Sequence, residues 1–209
     1  EEALYSFEDN KEEIHASKYV QSAIIEKFQS DISEVFVFCT EKSYSLGARN
    51  IKNEIKTKFN IDIKFITINE FVKIEEILQK MNEVLKEDFI IDVTHSFRNI
   101  PISVTMISNY LEVSTKKQLK QIFYGNYNRE TNEGLIIDLI NQYENSKIAS
   151  SLMAFDQFLK ISDTYLYNLN DNKINNLMKG IYQFNHMLDY CEFDSCVHSI
   201  SQIYNFCQS

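Results

Sequence analysis

The sequence predicts an α/β fold followed by an all-helical C-terminal segment. Three observations carry this reading. Apolar runs of strand length at 34–40, 62–68 and 89–93 alternate with stretches of helical spacing. Two more strand-like runs follow at 121–128 and 134–139, and none is found beyond 145. Only four glycines and one proline occur in 209 residues, which favours long helices over tight hairpins and excludes Gly/Ser-rich or Pro-rich linkers. Strands separated by helices of this length imply crossovers and a mostly parallel sheet, giving one domain over 1–144 and a helical segment over 145–209.

Residues 4–10 read as a loop or strand remnant, and no apolar strand is legible ahead of Glu12. From Glu12 to Ser30, Ile14, Val20, Ile24, Ile25 and Phe28 recur at helical spacing, which predicts a helix. The run from Glu34 to Thr40 is apolar throughout and reads as an interior strand, opening into a loop that holds Thr40, Lys42 and Ser43. A short charged helix over 47–59 and an alternating strand over 62–68 follow. Val72, Ile74, Ile77, Leu78, Met81, Val84 and Leu85 then form a helical stripe over 71–86.

The next strand, Phe89-Ile-Ile-Asp-Val93, has the continuous apolar pattern of a strand buried on both faces. It ends in Thr94, His95, Ser96, Arg98 and Asn99, just before Pro101. Proline suits a first helical turn, so Pro101 predicts the start of a helix carrying Ile102, Met106, Ile107, Tyr110 and Leu111. The free N–H groups and positive dipole end of that helix would face a ligand beyond the strand's carboxyl end. Hydroxyl, imidazole, guanidinium and amide groups at one rim suit phosphate and ribose.

The strand at 121–128 ends in Gly125, Asn126 and Tyr127, where a glycine permits close backbone approach and the others can hydrogen-bond or stack on a base. The short polar turn at 129–134 predicts an antiparallel hairpin with the following strand, at the sheet edge. Beyond it, helices are predicted over 146–162, 174–191 and 195–208.

Composition narrows the function classes. A net charge of −9 and a pI near 5.0 disfavour a protein that coats long nucleic acid, since that affinity comes from neutralising many phosphates. No run reaches a membrane span, and the opening residues do not read as a signal peptide. Cys39, Cys191, Cys196 and Cys207 are too few and too unevenly spaced for a disulfide framework, so a cytoplasmic location is expected. His186 and His198 lie near three of the cysteines, but the cysteine spacing lacks the tight knuckle of a zinc site, and no metal or cofactor is expected.

Asp92-Val-Thr-His-Ser-Phe-Arg-Asn-Ile-Pro101 resembles the Asp-x-Thr-His-Gly-Phe-Arg signature of CARF-domain proteins of type III CRISPR systems. The agreement covers Asp92, Thr94, His95, Phe97, Arg98 and Pro101, and departs at Ser96, where the family has glycine. The resemblance implies a Rossmann-like CARF domain that binds a cyclic oligoadenylate, with cyclic tetra-adenylate ahead of the hexa-adenylate, at a homodimer interface. It implies ligand contacts from Thr40, Lys42, Ser43, Thr94, His95, Ser96, Arg98, Asn99, Gly125, Asn126 and Tyr127. Slow metal-independent ring cleavage would draw on His95, Arg98 and Lys42. The family commonly adds a helical HEPN ribonuclease whose motif pairs arginine with histidine. The only arginines here are Arg49, Arg98 and Arg129, so His186 and His198 lack that partner.

The alternative is a nucleotide-binding Rossmann-like enzyme of phosphoryl-transfer or hydrolase type, unrelated to CRISPR. Neither Gly-x-Gly-x-x-Gly nor a P-loop is present, and a triad from Asp92, His95 and Ser96 fails because neighbours along an extended segment point apart. A pure interaction scaffold is the third reading.

Overall fold

The computed structural model describes residues 2–69, 73–94, 100–158, 172–190 and 193–208. The chain divides into two compact units, 1–140 and 141–209. The first is α/β. Its strands are β1 (Ala3–Phe7), β2 (Asn10–Ser17), β3 (Val35–Cys39), β4 (Ile63–Thr67), β5 (Phe89–Asp92), β6 (Leu119–Asn128) and β7 (Glu133–Asp138). Five of them form one sheet in the order β2-β1-β7-β6-β5, while β3 and β4 pair separately. The pairings β1–β7, β3–β4 and β5–β6 are parallel, whereas β1–β2 and β6–β7 are antiparallel hairpins.

The N-terminus corrects the sequence reading. A strand does precede Glu12, and the expected helix from Glu12 is instead β2 followed by α1 (Val20–Lys27). In β1 the alternation is plain, with Ala3, Tyr5 and Phe7 buried and Leu4 exposed. On β2 the buried side chains are polar, His15 and Ser17, while Ile14 is 60% exposed. Hydrophobic periodicity therefore misassigned the segment, because its apolar residue faces out. His15 packs edge-on against Phe7, with Glu26 Oε2 3.2 Å from its Nδ1 and Glu13 Oε1 3.4 Å from its Nε2.

Three further expectations change. The β6–β7 hairpin forms as predicted, but β7 lies inside the sheet between β6 and β1, so it is no edge. β3 is not an interior strand either. Residues 35–38 are half-buried and only Cys39 of the strand is buried, because among the described residues β3 has β4 as its one sheet partner. β5, the motif strand, is the sheet's other edge, with Phe89 buried and 90–92 half-buried.

α1 joins the two sheets through adjacent residues. Ala23 and Ile24 pack with Ala3, Tyr5, Phe7, Phe123 and Ile136 of the larger sheet, whereas Ile25 packs with Ile55 and Ile63 beside the smaller one. One residue turns a helix by 100°, so neighbours 24 and 25 serve different cores. Fully burying each such isoleucine contributes roughly 1.5–3 kcal/mol.

The β3–β4 crossover is a continuous helical run from Glu41 to Phe59: α2 (Glu41–Ser43), a π-helical turn (Tyr44–Ala48) and α3 (Arg49–Phe59). It starts earlier than predicted, absorbing residues 41–45 of the loop expected after β3. Asn60, left-handed at φ 57°, ends it. α4 (Ile74–Val84) precedes β5, with 71–72 of its predicted span outside the described residues, and α5 (Ile100–Thr115) connects β5 to β6.

Glu54 on α3 ties this crossover to the β2–α1 corner. It accepts hydrogen bonds from the Ser17 hydroxyl at 2.8 Å and the Lys18 amide at 3.4 Å, with Lys58 at 3.7 Å. Burial raises its carboxyl pKa, but the Ser17 bond, the Lys18 amide and the Lys58 charge outweigh it, leaving a net value below that of an ordinary glutamate. The ionised form is therefore favoured in the folded chain. The resulting stability is present above the unfolded pKa of about 4.3 and disappears as pH falls through the lower folded value. Urea melts of wild type and Glu54→Gln should differ in midpoint at neutral pH and converge in acid. An equal gap at both pH values would contradict this.

The second unit contains α6 (Ile140–Phe158), α7 (Asn172–Asp189) and α8 (Phe193–Gln208). Its core gathers Ile148, Met178 and Ile181 with Leu152, Phe155, Leu177 and Ile203. α6 begins six residues before the predicted Ser146 because the Asp138 carboxylate accepts from the Ile140 amide at 2.9 Å and starts the helix there. The predicted end of that helix, 159–162, falls outside the described residues. Among the described residues, no helix is long and apolar enough to cross a membrane.

Candidate functional site

The site is built at the carboxyl end of β5. The Asp92 carboxylate, at the last strand position, accepts from the Gln21 side-chain amide of α1 at 2.7 Å and from the Thr94 backbone N–H at 3.1 Å. The Thr94 hydroxyl donates to the same carboxylate and accepts from the Gly125 N–H at 2.8 Å. Val93 N–H donates to the Phe123 carbonyl at 2.9 Å and continues the β5–β6 ladder one step past the strand. Asp92, Thr94 and Gly125 thus form a clamp that fixes where the chain leaves the sheet.

Gly125 is required by this clamp. A Cβ there would lie 2.5 Å from Val20 Cγ2 and 3.3 Å from both Thr94 Cγ2 and Oγ1. Its backbone donor reaches Thr94 only because no side chain intervenes. The first turn of α1, the end of β5 and the middle of β6 meet at this point.

His95, Ser96, Arg98 and Asn99 lie outside the described residues, as does Phe97. On their two sides stand Thr94 in the clamp and α5, which begins at Ile100 and places Pro101 in its first turn, as the sequence predicted.

Thr40 and Ser43 are engaged with each other. The Thr40 hydroxyl accepts from the Ser43 amide at 3.1 Å, and the Ser43 hydroxyl accepts from the Thr40 amide at 2.9 Å, a capping box at the start of α2. Lys42 is exposed beside them. The π-helical turn follows at once, with the Tyr44 ring edge-on to Phe65 at 4.9 Å. Such turns recur at functional sites. Among the described residues, no hydrogen bond joins this corner to Thr94 or Gly125, and the two groups belong to different sheets.

Gly125, Asn126 and Tyr127 lie within β6, as the strand reading of 121–128 implies, paired with Ile136, Leu135 and Gly134 of β7. Successive strand residues face opposite ways, so Gly125 and Tyr127 share one face and Asn126 takes the other. Gly125 meets Val20 and Thr94, whereas Asn126 lines an open groove of about 390 Å³ with Leu4, Ser6, Lys11, Ile14 and Asn128. Tyr127 donates its hydroxyl to Asn132 at 2.8 Å across the hairpin turn.

Sequence reasoning missed Gln21, which lies 71 residues from Asp92 and carries no pattern of its own. The role of Asp92 was signalled: Asp-x-Thr at a strand end is an Asx-turn pattern, in which the carboxylate bonds the amide two residues on. Among the described residues, no cluster of three or more His, Cys, Asp or Glu side chains is arranged to hold a metal ion. Cys196 is a buried free thiol, and the His186 ring stacks near Tyr190 at 4.7 Å. No protein-family model matches the chain, and no curated protein matches it.

Proposed function

We propose that this chain is a cytoplasmic sensor of the CARF kind, which binds a cyclic oligoadenylate, cyclic tetra-adenylate first, at a homodimer interface and relays binding to its helical C-terminal unit. The observation that carries the reading is the position of the Asp92–Pro101 motif. It spans the junction between β5 and α5, with its Asp-x-Thr portion anchored to α1 and β6 by the clamp. Open α/β sheets hold ligands at such junctions, where a helix N-terminus offers unpaired N–H groups to an anion.

In this reading Arg98 neutralises ring phosphate, and His95, Ser96 and Asn99 supply hydrogen bonds from the same segment. The Thr94 hydroxyl gives its single hydrogen to Asp92, so its part is to fix the point from which the following segment departs. A net charge of −9 is compatible with a small anion because one arginine near a helix N-terminus acts locally. Binding shifts the population of dimer geometries, with the helical unit as readout.

A thermal-shift panel of cyclic tri-, tetra- and hexa-adenylate, linear oligoadenylate and mononucleotides tests the proposal. At a hundredfold excess over Kd, a ligand specific to the folded state adds about 2.7 kcal/mol of stability. We expect a selective rise in Tm with cyclic tetra-adenylate that is lost in Arg98→Ala, whose own fold is checked by circular dichroism. No rise with any ring, or a rise unchanged in Arg98→Ala, would overturn the assignment.

A further inference from the structure

The groove beside Asn126 opens on the sheet face opposite α1. Ala3, Tyr5 and Phe7 of β1 turn toward α1, so Leu4 and Ser6 face the groove, away from the clamp at Gly125. Strand register sets the lining in rows. Ile14, Ser6, Leu135 and Asn126 stand side by side across four strands, and Leu4, Glu133 and Asn128 make the next row. Beyond the first row the β1–β2 pairing is irregular, since Ser6 pairs with Ile14 but Phe7 with Asn10. The extra residues re-aim the strand as a bulge does, and Lys11 lines the groove at this end. Glu133 lines it at the other end.

Three features define what fits. The floor is aliphatic: Leu4 and Ile14 are 46% and 60% exposed, and Leu135 is half-buried beside them. Along one wall stand two side-chain amides. Asn128 accepts from the Glu130 N–H at 2.9 Å, which fixes its side chain and leaves its NH2 group to donate, and Asn126 lines the groove next to it. Alternate residues of a strand are about 6.8 Å apart, the repeat at which an extended chain presents carbonyls along one edge. The two ends carry opposite charge. The rows of Glu133 and Lys11 are separated by the rise from Leu4 to Phe7, about 10 Å, and neither side chain forms an ion pair among the described residues.

We propose that this groove binds a free, extended tripeptide, with its amino terminus at Glu133, its carboxylate at Lys11 and its carbonyls toward Asn126 and Asn128. An extended chain of three residues spans about 10 Å, which matches the separation of the two charges. Charge selects this class. A mononucleotide carries only negative charge and leaves the Glu133 carboxylate unmatched, and the interior of a protein segment brings neither terminal charge. A volume of about 390 Å³ is that of a small-ligand site. The site is independent of the proposed ring sensing, because it faces away from the clamp.

Titration of the isotope-labelled full chain with Gly-Leu-Gly, its N-acetyl form and its C-amide form, read by NMR, tests the inference. The free tripeptide should give saturable shifts at Leu4, Asn126 and Leu135. Each blocked form should bind about fivefold more weakly, the most that an exposed ion pair contributes. Lys11→Glu should lose at least that factor, and amidation of the peptide should then cost nothing further, a coupling that a general effect on the fold would not produce. Lys11 is exposed, so its replacement leaves the core untouched. Absence of saturable shifts overturns the inference, as does equal binding of free and blocked forms. So does occupation of the same groove by cyclic tetra-adenylate or adenosine monophosphate in place of the tripeptide.

Discussion

Gly134→Ala is expected to destabilise the chain by about 3 kcal/mol, the upper end for overpacking a core that cannot yield. The cause is steric. A Cβ at this position would lie 2.3 and 2.4 Å from Cδ1 and Cε1 of the Tyr5 ring. Gly134 is paired directly with Tyr5 on one side and Tyr127 on the other, so its strand is held between two neighbours. Tyr5 is buried in a cluster with Ala3, Phe7 and Val20, so any shift of its ring disturbs that packing. Backbone conformation makes the opposite forecast. No glycine here has positive φ, and replacing such a glycine by alanine normally stabilises by about 0.4–1 kcal/mol through the unfolded chain. The sign of the measured change therefore decides between the two effects.

A second background makes the test specific. In Tyr5→Leu the ring is gone, and Gly134→Ala should then cost much less than in wild type. A coupling energy of about 0.5–3 kcal/mol from urea denaturation of the four proteins is the expected signature of direct contact. If Gly134→Ala equals or exceeds wild type in stability, the close packing of ring on glycine is wrong.

Much of the α/β unit was legible because its apolar side chains follow the pleat or the helical turn. β3, β4, the motif strand, the β6–β7 hairpin and α4 were all read from periodicity, as were α7 and α8 of the second unit. The failures share one physical origin. Periodicity registers apolar side chains only, so β2, with buried His15 and Ser17 and an outward Ile14, was taken for helix. Strand neighbours are equally invisible locally: nothing in 133–138 states that β1 pairs beside it, which placed the hairpin wrongly at the edge. At the site, the strand over 121–128 is legible, but not that its pairing with β7 carries Gly125–Tyr127 past the end of β5. The Gln21–Asp92 bond closes a loop of 71 residues and has no local signature at all.

Thr94→Val is the sharpest test of how the motif is built, because valine keeps the shape and removes only the hydroxyl. That change leaves the Gly125 N–H, part-buried beside Val20, without its acceptor, and takes one donor from the Asp92 carboxylate. Stranding a buried polar group costs about 1–3 kcal/mol, and here two groups lose a partner together. We expect a loss of about 3 kcal/mol in the ligand-free protein, read by urea denaturation. Thr94→Ser retains both hydrogen bonds and should lose less than half as much. Gln21→Leu removes only the outer donor to Asp92 and should fall between them. The measurement separates two roles for the same side chain. If the hydroxyl served a ligand alone, Thr94→Val would leave ligand-free stability unchanged and weaken binding. If it clamps β5 to β6, stability falls first, and ring affinity falls with it because the segment from His95 to Asn99 no longer departs from a fixed point. A Thr94→Val protein as stable as wild type would show that the Asp-x-Thr pair does not hold this corner.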